Sequence, residues 1–169
     1  ISNIRTCADV VNYSAGSNIG NTPGANDAFW DNLVRNNVTV SAVIAAGNEA
    51  NGCGAGDGNV TSPSMGYNMI TVGNYDDHDT ESWTDDTMDS CSSFVDPSST
   101  NSDREKPEVS ATGHDIIATT NTSPWTGDVG SGTSYAAPVV SSAALMAYQR
   151  RYQAGSGSGR VPGLPGADR

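Results

Sequence analysis

The residues best suited to chemistry lie in one string, Gly130-Ser131-Gly132-Thr133-Ser134-Tyr135-Ala136-Ala137-Pro138-Val139-Val140. Gly132 lacks the Cβ that would hold a substrate away from the backbone. The small-residue run that follows, Ala143-Ala144-Leu145-Met146-Ala147-Tyr148, reads as a buried helix. Ser134 then stands at that helix's N-terminus, where unpaired N–H groups and the dipole favour negative charge. Pro138 falls about one turn in, where its missing N–H is expected to cost little. A serine so placed can act as a nucleophile, because the oxyanion that its attack generates forms beside those N–H donors. Taken alone, Gly-Thr-Ser is equally a loop and a helix cap.

Such a serine needs a scaffold, and the rest of the chain supplies one. Val10-Val11 seeds a strand that ends in the small residues Ser14-Ala15-Gly16. After a turn cluster over residues 18–23, apolar residues at 29, 30, 33 and 34 mark an amphipathic helix from Asp27 to Asn36. Residues 38–46 form a nearly continuous apolar, β-branched run suited to a parallel strand covered on both faces, and it ends in Gly47-Asn48-Glu49. Strand, helix, strand of this length is a βαβ unit, which demands a parallel sheet and a right-handed crossover. Function gathers at the carboxyl ends of such strands. Both Ser14-Ala15-Gly16 and Gly47-Asn48 fall there.

Further along, a Gly/Asn/Ser loop over residues 49–66 leads to a short strand at 69–73. An acidic irregular stretch (74–103) follows, then two β segments at 108–113 and 115–120, and the helix from Ser134 to about Tyr152. The organisation expected is one folded unit over residues 1–154 with a flexible Gly/Ser/Pro tail over 155–169.

Composition narrows the partners. The 169 residues suffice for one domain with a real core, and 19 glycines with only 16% charged residues point to a compact, turn-rich globule. A net charge of −11 opposes binding to nucleic acid or to an anionic membrane surface. No apolar run approaches the roughly 20 residues needed to span a bilayer. Cys7, Cys53 and Cys91 form neither a metal cluster nor a CxxC pair. Cys53 and Cys91 both lie in Gly/Ser/Asp-rich loop sequence, so either they form a disulfide in an oxidising compartment or all three are free thiols of a cytosolic chain.

Gly132-Thr133-Ser134-Tyr135-Ala136-Ala137-Pro138 resembles the nucleophile motif of the subtilisin-like serine peptidases, Gly-Thr-Ser-x-Ala-x-Pro. Four further segments match that family in order. Asn12-Tyr13-Ser14-Ala15-Gly16 is similar to its cleft segment Asn-x-Ser-Leu-Gly, and Ala45-Ala46-Gly47-Asn48 to its Ala-Ala-Gly-Asn. Ser92-Ser93-Phe94 loosely resembles Phe-Ser-Ser, and Lys106 to Gly113 resembles Lys-Pro-Asp-Val-x-Ala-Pro-Gly with Thr112 in place of Pro. The resemblance implies the three-layer α/β parallel-sheet fold of that family, here its C-terminal portion. It implies Ser134 as nucleophile, Asn48 with the Ser134 N–H as oxyanion donors, and Thr133 as support for the same pocket. Ser14, Ala15 and Gly16 would form one wall of the primary specificity pocket and Ala45, Ala46 and Gly47 the other, small residues that would admit a bulky side chain. The substrate implied is a polypeptide, and the setting secreted.

The departures matter as much. The family's Asp-x-Gly and His-Gly-Thr-His motifs are absent, so the resemblance implies a triad Asp and His in an N-terminal half outside this chain. His78, in an acidic loop, and His114 read as solvated surface residues. Without a base a serine hydroxyl is a poor nucleophile, so this portion alone is expected to be inactive. No cofactor is needed for the chemistry. A structural calcium ion is implied by the likeness of Ser62-Pro63-Ser64-Met65 and Val72 to Asp76 to a region where relatives use backbone carbonyls and one Asp, which here points to Pro63, Met65 and Asp76. Besides a peptidase, the same residues fit a non-catalytic binding module that kept the cleft and lost its base. An α/β-hydrolase is a poor fit, since nothing after Ser134 supplies a histidine.

Overall fold

The structure, a computed structural model, describes residues 8–51, 53–100 and 103–155. Strand β1 (Val10–Tyr13), helix α1 (Ala25–Arg35) and strand β2 (Ser41–Ala45) form the expected βαβ unit. Val10 lies opposite Ser41 and Tyr13 opposite Ile44 in a parallel register. The start of α1 is fixed by Asp27, whose carboxylate reaches back to accept the Gly24 N–H at 2.8 Å. That contact satisfies the Gly24 N–H, a donor the helix itself cannot pair. The same buried carboxylate accepts from Ser62 Oγ at 2.7 Å and from the Met65 N–H at 3.0 Å, which ties the 62–65 segment to α1.

β2 shows why its run is apolar throughout. Val43 and Ala45 face one side, packing with Val72, Ala111, Ala136 and Ala137, while Ala42 and Ile44 face the other, with Met69 and with Trp30 and Val34 of α1. The two-residue period of a strand thus feeds two cores, one under each helix layer. β3 (Ile70–Asp76) pairs parallel with β2, and beyond the end of β2 it takes the two-residue strand β4 (Thr87–Met88) in antiparallel register. β5 (Val109–Thr112) runs parallel along the opposite edge of β3. α2 (Thr133–Gly155) packs across β1, β2, β3 and β5 and closes the third layer.

Three details differ from the sequence reading. β3 continues past residue 73 through a buried Asn74 to Asp76, so a polar residue sits in the sheet interior. The acidic stretch holds β4, which is too short to register as a pattern. The 115–120 segment leaves the main sheet: β6 (Ile117–Thr119) makes a separate hairpin with β7 (Thr126–Asp128), a strand whose Gly and Asp give no strand signal. The tail expected over 155–169 lies, beyond residue 155, outside the described residues, as does Cys7.

At the entry to β5, Lys106 is buried and donates from Nζ to the Met69 carbonyl at 3.1 Å while pairing with Glu108. Glu108 Oε2 in turn accepts the Thr71 N–H at 2.7 Å, clamping β5 onto β3. Burial pushes the Lys106 ammonium below its ordinary pKa, opposed by the adjacent carboxylate.

Candidate active site

The carboxyl end of β2 and the N-terminus of α2 meet through two side chains. Thr133 is fully buried, and its N–H and Oγ1 both donate to Asn48 Oδ1, at 3.0 and 3.2 Å. Thr133 Oγ1 also accepts the Gly47 N–H at 3.1 Å. Because two donors converge on Oδ1, the Asn48 amide can take only one orientation. Its Nδ2 is left with two N–H donors and no acceptor among the described residues. A Cβ on Gly132 would come within 3.1 Å of that Nδ2, which explains the glycine: any side chain there would crowd the donor.

Gly132 donates its N–H to the Gly113 carbonyl at 2.8 Å, and its own carbonyl accepts from the Tyr135 and Ala136 N–H groups at 3.0 and 3.4 Å. The first turn of α2 therefore hangs on a pair of glycines in contact. The Ser134 N–H has no acceptor among the described residues. Asn48 Nδ2, beyond the end of β2, and the Ser134 N–H, in the first turn of α2, are thus two donors without acceptors among the described residues, brought to one place by the Thr133–Asn48 bonds.

Ser134 Oγ, the candidate nucleophile, donates to the Ser14 carbonyl over a long 3.4 Å. In the opposite direction Ser14 Oγ donates to the Ser134 carbonyl at 3.0 Å. This second bond has a cause four residues on. In an α-helix the Ser134 carbonyl would accept from residue 138, but residue 138 is proline and has no N–H. Pro138 is therefore not in the cost-free first turn that the sequence suggests. It removes an interior helix bond, and the hydroxyl of Ser14 takes the freed carbonyl. Ser14 Oγ itself accepts from Asn12 Nδ2 at 3.0 Å, and Asn12 Oδ1 accepts from Ser141 Oγ at 3.2 Å, so β1 and α2 are stitched along two turns.

The two segments expected as pocket walls, 14–16 and 45–47, both border one buried residue, Thr61, that the sequence reading did not single out. Thr61 is buried, its N–H donates to the Ala46 carbonyl at 2.8 Å and its Oγ1 to the same carbonyl at 3.1 Å. On the other side Ser17 and Ser62 exchange backbone bonds of 2.9 and 3.0 Å. A Cβ on Gly16 would meet Thr61 Oγ1 at 2.4 Å, and one on Gly47 would meet Thr61 Cγ2 at 2.5 Å. Gly47 also has φ of +111°, a conformation that few side chains adopt. The only sequence signal for Thr61 was its place in a loop of unknown path.

Around this site the loops are fastened covalently and by charge. Cys53 and Cys91 are joined in a disulfide with a Cα–Cα distance of 5.4 Å, and the Ala50 N–H donates to the Cys91 carbonyl at 3.2 Å. Ser93 Oγ accepts the Glu49 N–H at 3.2 Å, next to Asn48. His114 is not simply a solvated side chain. Its Nδ1–H donates to the buried carboxylate of Asp89 at 2.6 Å, and its Nε2 faces Asp115 and Asp76 at 3.6 and 3.7 Å. The Asp89 hydrogen bond raises the imidazole above its ordinary pKa. His78 Nδ1 lies 3.2 Å from the same Asp76 carboxylate. Among the described residues no imidazole lies within hydrogen-bond reach of Ser134 Oγ.

The calcium set does not come together. Ser64, between Pro63 and Met65, gives its carbonyl to Thr71 Oγ1 at 2.7 Å, at the start of β3. Asp76 is five residues further along that strand, roughly 16 Å away at the rise of an extended chain. The Met65 carbonyl is also taken by the Arg104 guanidinium, and Asp76 by the two histidines. Pro63, Met65 and Asp76 therefore do not fit one cation, and no role is routed through calcium.

Comparison with known proteins follows this geometry. The model of the subtilase family matches residues 1–159. None of the curated proteins matches the chain. Among solved structures, the prenylagaramide maturation protease PagA superposes with a TM-score of 0.61 at 23% identity, over 90% of this chain and 48% of that one. The self-cleaved protease domain of PatA gives 0.60 at 26%, over 90% and 50%. Sphericase gives 0.58 at 21%, over 84% and 43%. The chain thus spans about half the length of the structures that it matches.

Proposed function

Since the chain belongs to the subtilase family, we propose that it is the C-terminal portion of a serine endopeptidase domain that hydrolyses peptide bonds through an acyl-enzyme on Ser134. The observation that carries this reading is the lock of Thr133 on Asn48 and Gly47, which aims an amide donor from β2 beside a serine at the start of α2. Ser134 Oγ attacks the scissile carbonyl carbon while an imidazole takes its proton. The carbonyl oxygen becomes an oxyanion between Asn48 Nδ2 and the Ser134 N–H. The amine leaves with the proton, and water then repeats the sequence to release the acid and restore the serine.

The base and its carboxylate partner come from an N-terminal part of the same domain. Two features support that assignment. β1 is an edge strand, paired only with β2 among the described residues, and α2 exposes Val139, Leu145 and Met146. An edge and an apolar helix face are what a further layer of sheet would cover. The disulfide supports a secreted setting. Among the described residues no helix is long and apolar enough to cross a membrane.

A fluorophosphonate probe tests the reading. The full-length protein is expected to label stoichiometrically, the Ser134→Ala variant not at all, and the isolated chain at most at a trace level. A full-length protein that is folded, binds peptides and never labels would instead be a binding module that uses the same cleft.

A further inference from the structure

Two loops stand behind the two donors of the candidate site, and one imidazole joins them. Residues 47–50, which carry Asn48, are bonded to residues 91–93. The Ser93 N–H donates to the Gly47 carbonyl at 2.9 Å, the Glu49 N–H to Ser93 Oγ at 3.2 Å and the Ala50 N–H to the Cys91 carbonyl at 3.2 Å. Residues 130–132, which lead into Ser134, are bonded to residues 113–116. The Gly132 N–H donates to the Gly113 carbonyl at 2.8 Å, the Asp115 N–H to Ser131 Oγ at 2.9 Å and the Ile116 N–H to the Gly130 carbonyl at 3.1 Å. We infer that His114 is a positioning residue for both donors and that its proton sets how firmly they are held, so that the rate carries an alkaline pH dependence besides that of the base. The link to a rate rests on the peptidase reading; the contacts do not.

His114 Nδ1–H donates to the Asp89 carboxylate at 2.6 Å. Asp89 opens the 89–93 loop: its Oδ1 accepts the Cys91 N–H at 2.8 Å and its carbonyl the Ser92 N–H at 3.0 Å. The His114–Asp89 bond therefore closes a ring of contacts. The ring runs from Asn48 through residues 91–93, Asp89, His114 and residues 130–132 to Thr133, whose N–H and Oγ1 hold Asn48. The far side of the imidazole decides what a proton does. Nε2 is faced by Asp115 of its own segment at 3.6 Å and by Asp76 of β3 at 3.7 Å, and His78 lies 3.2 Å from that same Asp76 carboxylate. With both ring nitrogens protonated, the cation attracts all three carboxylates. On deprotonation Asp89 keeps the Nδ1 proton, so Nε2 loses its own and turns a lone pair toward Asp115 and Asp76. Asp115 is then pushed away where its N–H and Oδ1 grip Ser131 Oγ, just ahead of the nucleophile. Asp89 chiefly, with Asp115 and Asp76, holds the imidazole above its ordinary pKa against the effect of burial. The bridged form is thus favoured at acidic pH and lost as pH rises through that raised value, opposite in sign to a base that must be deprotonated to act.

The test is a pair of measurements on the full-length protein. His114→Asn keeps a neutral donor near the place of Nδ1 but takes up no proton. The ratio of wild-type to variant kcat, per site titrated with fluorophosphonate, therefore cancels the titration of the base and isolates that of His114. The ratio should be about 10-fold at acidic pH, the scale of a lost hydrogen bond to a charged group, and should fall to about unity as pH rises, with KM little changed. A residue that served folding alone would alter the number of labelled sites and not the pH dependence of the rate per site. Asp115→Asn, at an exposed position, removes one carboxylate that favours the cation. It should move the alkaline limb of the rate profile to lower pH, and it covers the case in which the His114 variant fails to fold. In parallel, 15N NMR of the Ser134→Ala protein reads the Asn48 side-chain amide without catalysis. Its shift should follow the titration of His114 and cease to do so once His114→Asn is added. A kcat ratio independent of pH, an alkaline limb that Asp115→Asn leaves in place, or an Asn48 amide indifferent to His114 overturns the assignment. An Asn48 amide that follows His114 in a protein whose wild type hydrolyses no peptide would keep His114 as the positioning residue and refute the peptidase reading instead.

Discussion

Pro138 and Ser14 make a prediction that few other contacts in the molecule allow, because one residue creates the need that the other meets. The Ser134 carbonyl lacks its helical donor and accepts from Ser14 Oγ at 3.0 Å. Ser14→Ala leaves that carbonyl without a donor in a half-buried position. A lost intramolecular hydrogen bond together with a partly desolvated acceptor is worth about 1–2 kcal/mol. If the strain is relieved by movement of residue 134, the loss appears in the transition state as a decrease of about 5- to 30-fold in kcat. KM should change little, since the wall backbone at residue 14 is retained. Now the proline is replaced as well. Pro138→Ala restores an N–H four residues after Ser134, which can take the same carbonyl, so in that background Ser14→Ala should cost less than about threefold. The coupling between the two changes is then about 1 kcal/mol, within the range for residues in one network. The assay is peptide hydrolysis by the full-length protein, with rates of fluorophosphonate labelling as a second readout and thermal melts to monitor folding. Equal losses for Ser14→Ala in the two backgrounds would refute the reasoning, because the proline would then have no part in the need for Ser14.

Three further outcomes can be checked in the same protein. Thr133→Val should leave the Gly47 N–H unsatisfied, lowering stability by about 1–3 kcal/mol in denaturant unfolding, and should reduce kcat by no more than the loss of the Asn48 donor itself. For that donor the figure of about 10²–10³ is one known from subtilisin within this family, not one worked from this structure; Thr133→Ser, which keeps the hydroxyl, should recover most of the rate. Reduction of Cys53–Cys91, which closes a loop of 38 residues, should lower stability by about 3.9 kcal/mol if chain entropy dominates, read as a shift of the urea midpoint that a Cys53→Ser, Cys91→Ser double variant reproduces. His114, whose pKa is raised above 6.5 chiefly by Asp89, contributes stability that is fully present below about pH 6.5 and lost as pH rises through its folded pKa. Melting temperature should therefore decline over that rise, and His114→Gln should flatten the decline.

How much of this was legible in the sequence follows from what kind of information each feature needs. The βαβ unit was readable because the unbroken apolar run of β2 and the apolar spacing of α1 are local patterns, and both placed the small-residue loops at strand ends. Ser134, Asn48 and Thr133 were readable as a string resemblance, but not the fact that Thr133 grips Asn48 by its oxygen, which depends on a contact between residues 85 apart. Thr61 was not readable at all. Its place between the two segments comes from the route of an irregular loop, and no period or composition encodes a route. The calcium set failed for a related reason: Pro63 and Met65 lie near Asp76 in a list of segments, but the length of β3 separates them. His114 was misread because its partner, Asp89, is buried by a loop whose acidic composition suggested only solvent. β6 was legible as a β segment within 115–120, but its partner β7 was not, because Gly127 and Asp128 have weak strand preference of their own and the strand is fixed by its pairing.

The bonds between Ser14 and Ser134 join residues 120 apart, and the Thr133–Asn48 bonds join residues 85 apart. Each requires a long loop to close before it can form, and closing both requires β1, β2 and α2 to be docked at once. The oriented amide and the anchored serine therefore act as a coincidence detector for completed tertiary structure. A chain in which α2 has not yet settled has neither feature, whatever its secondary structure. For a molecule whose own unfolded copies are polypeptides of the class it is proposed to cut, that dependence spares its half-folded siblings from attack by half-folded neighbours.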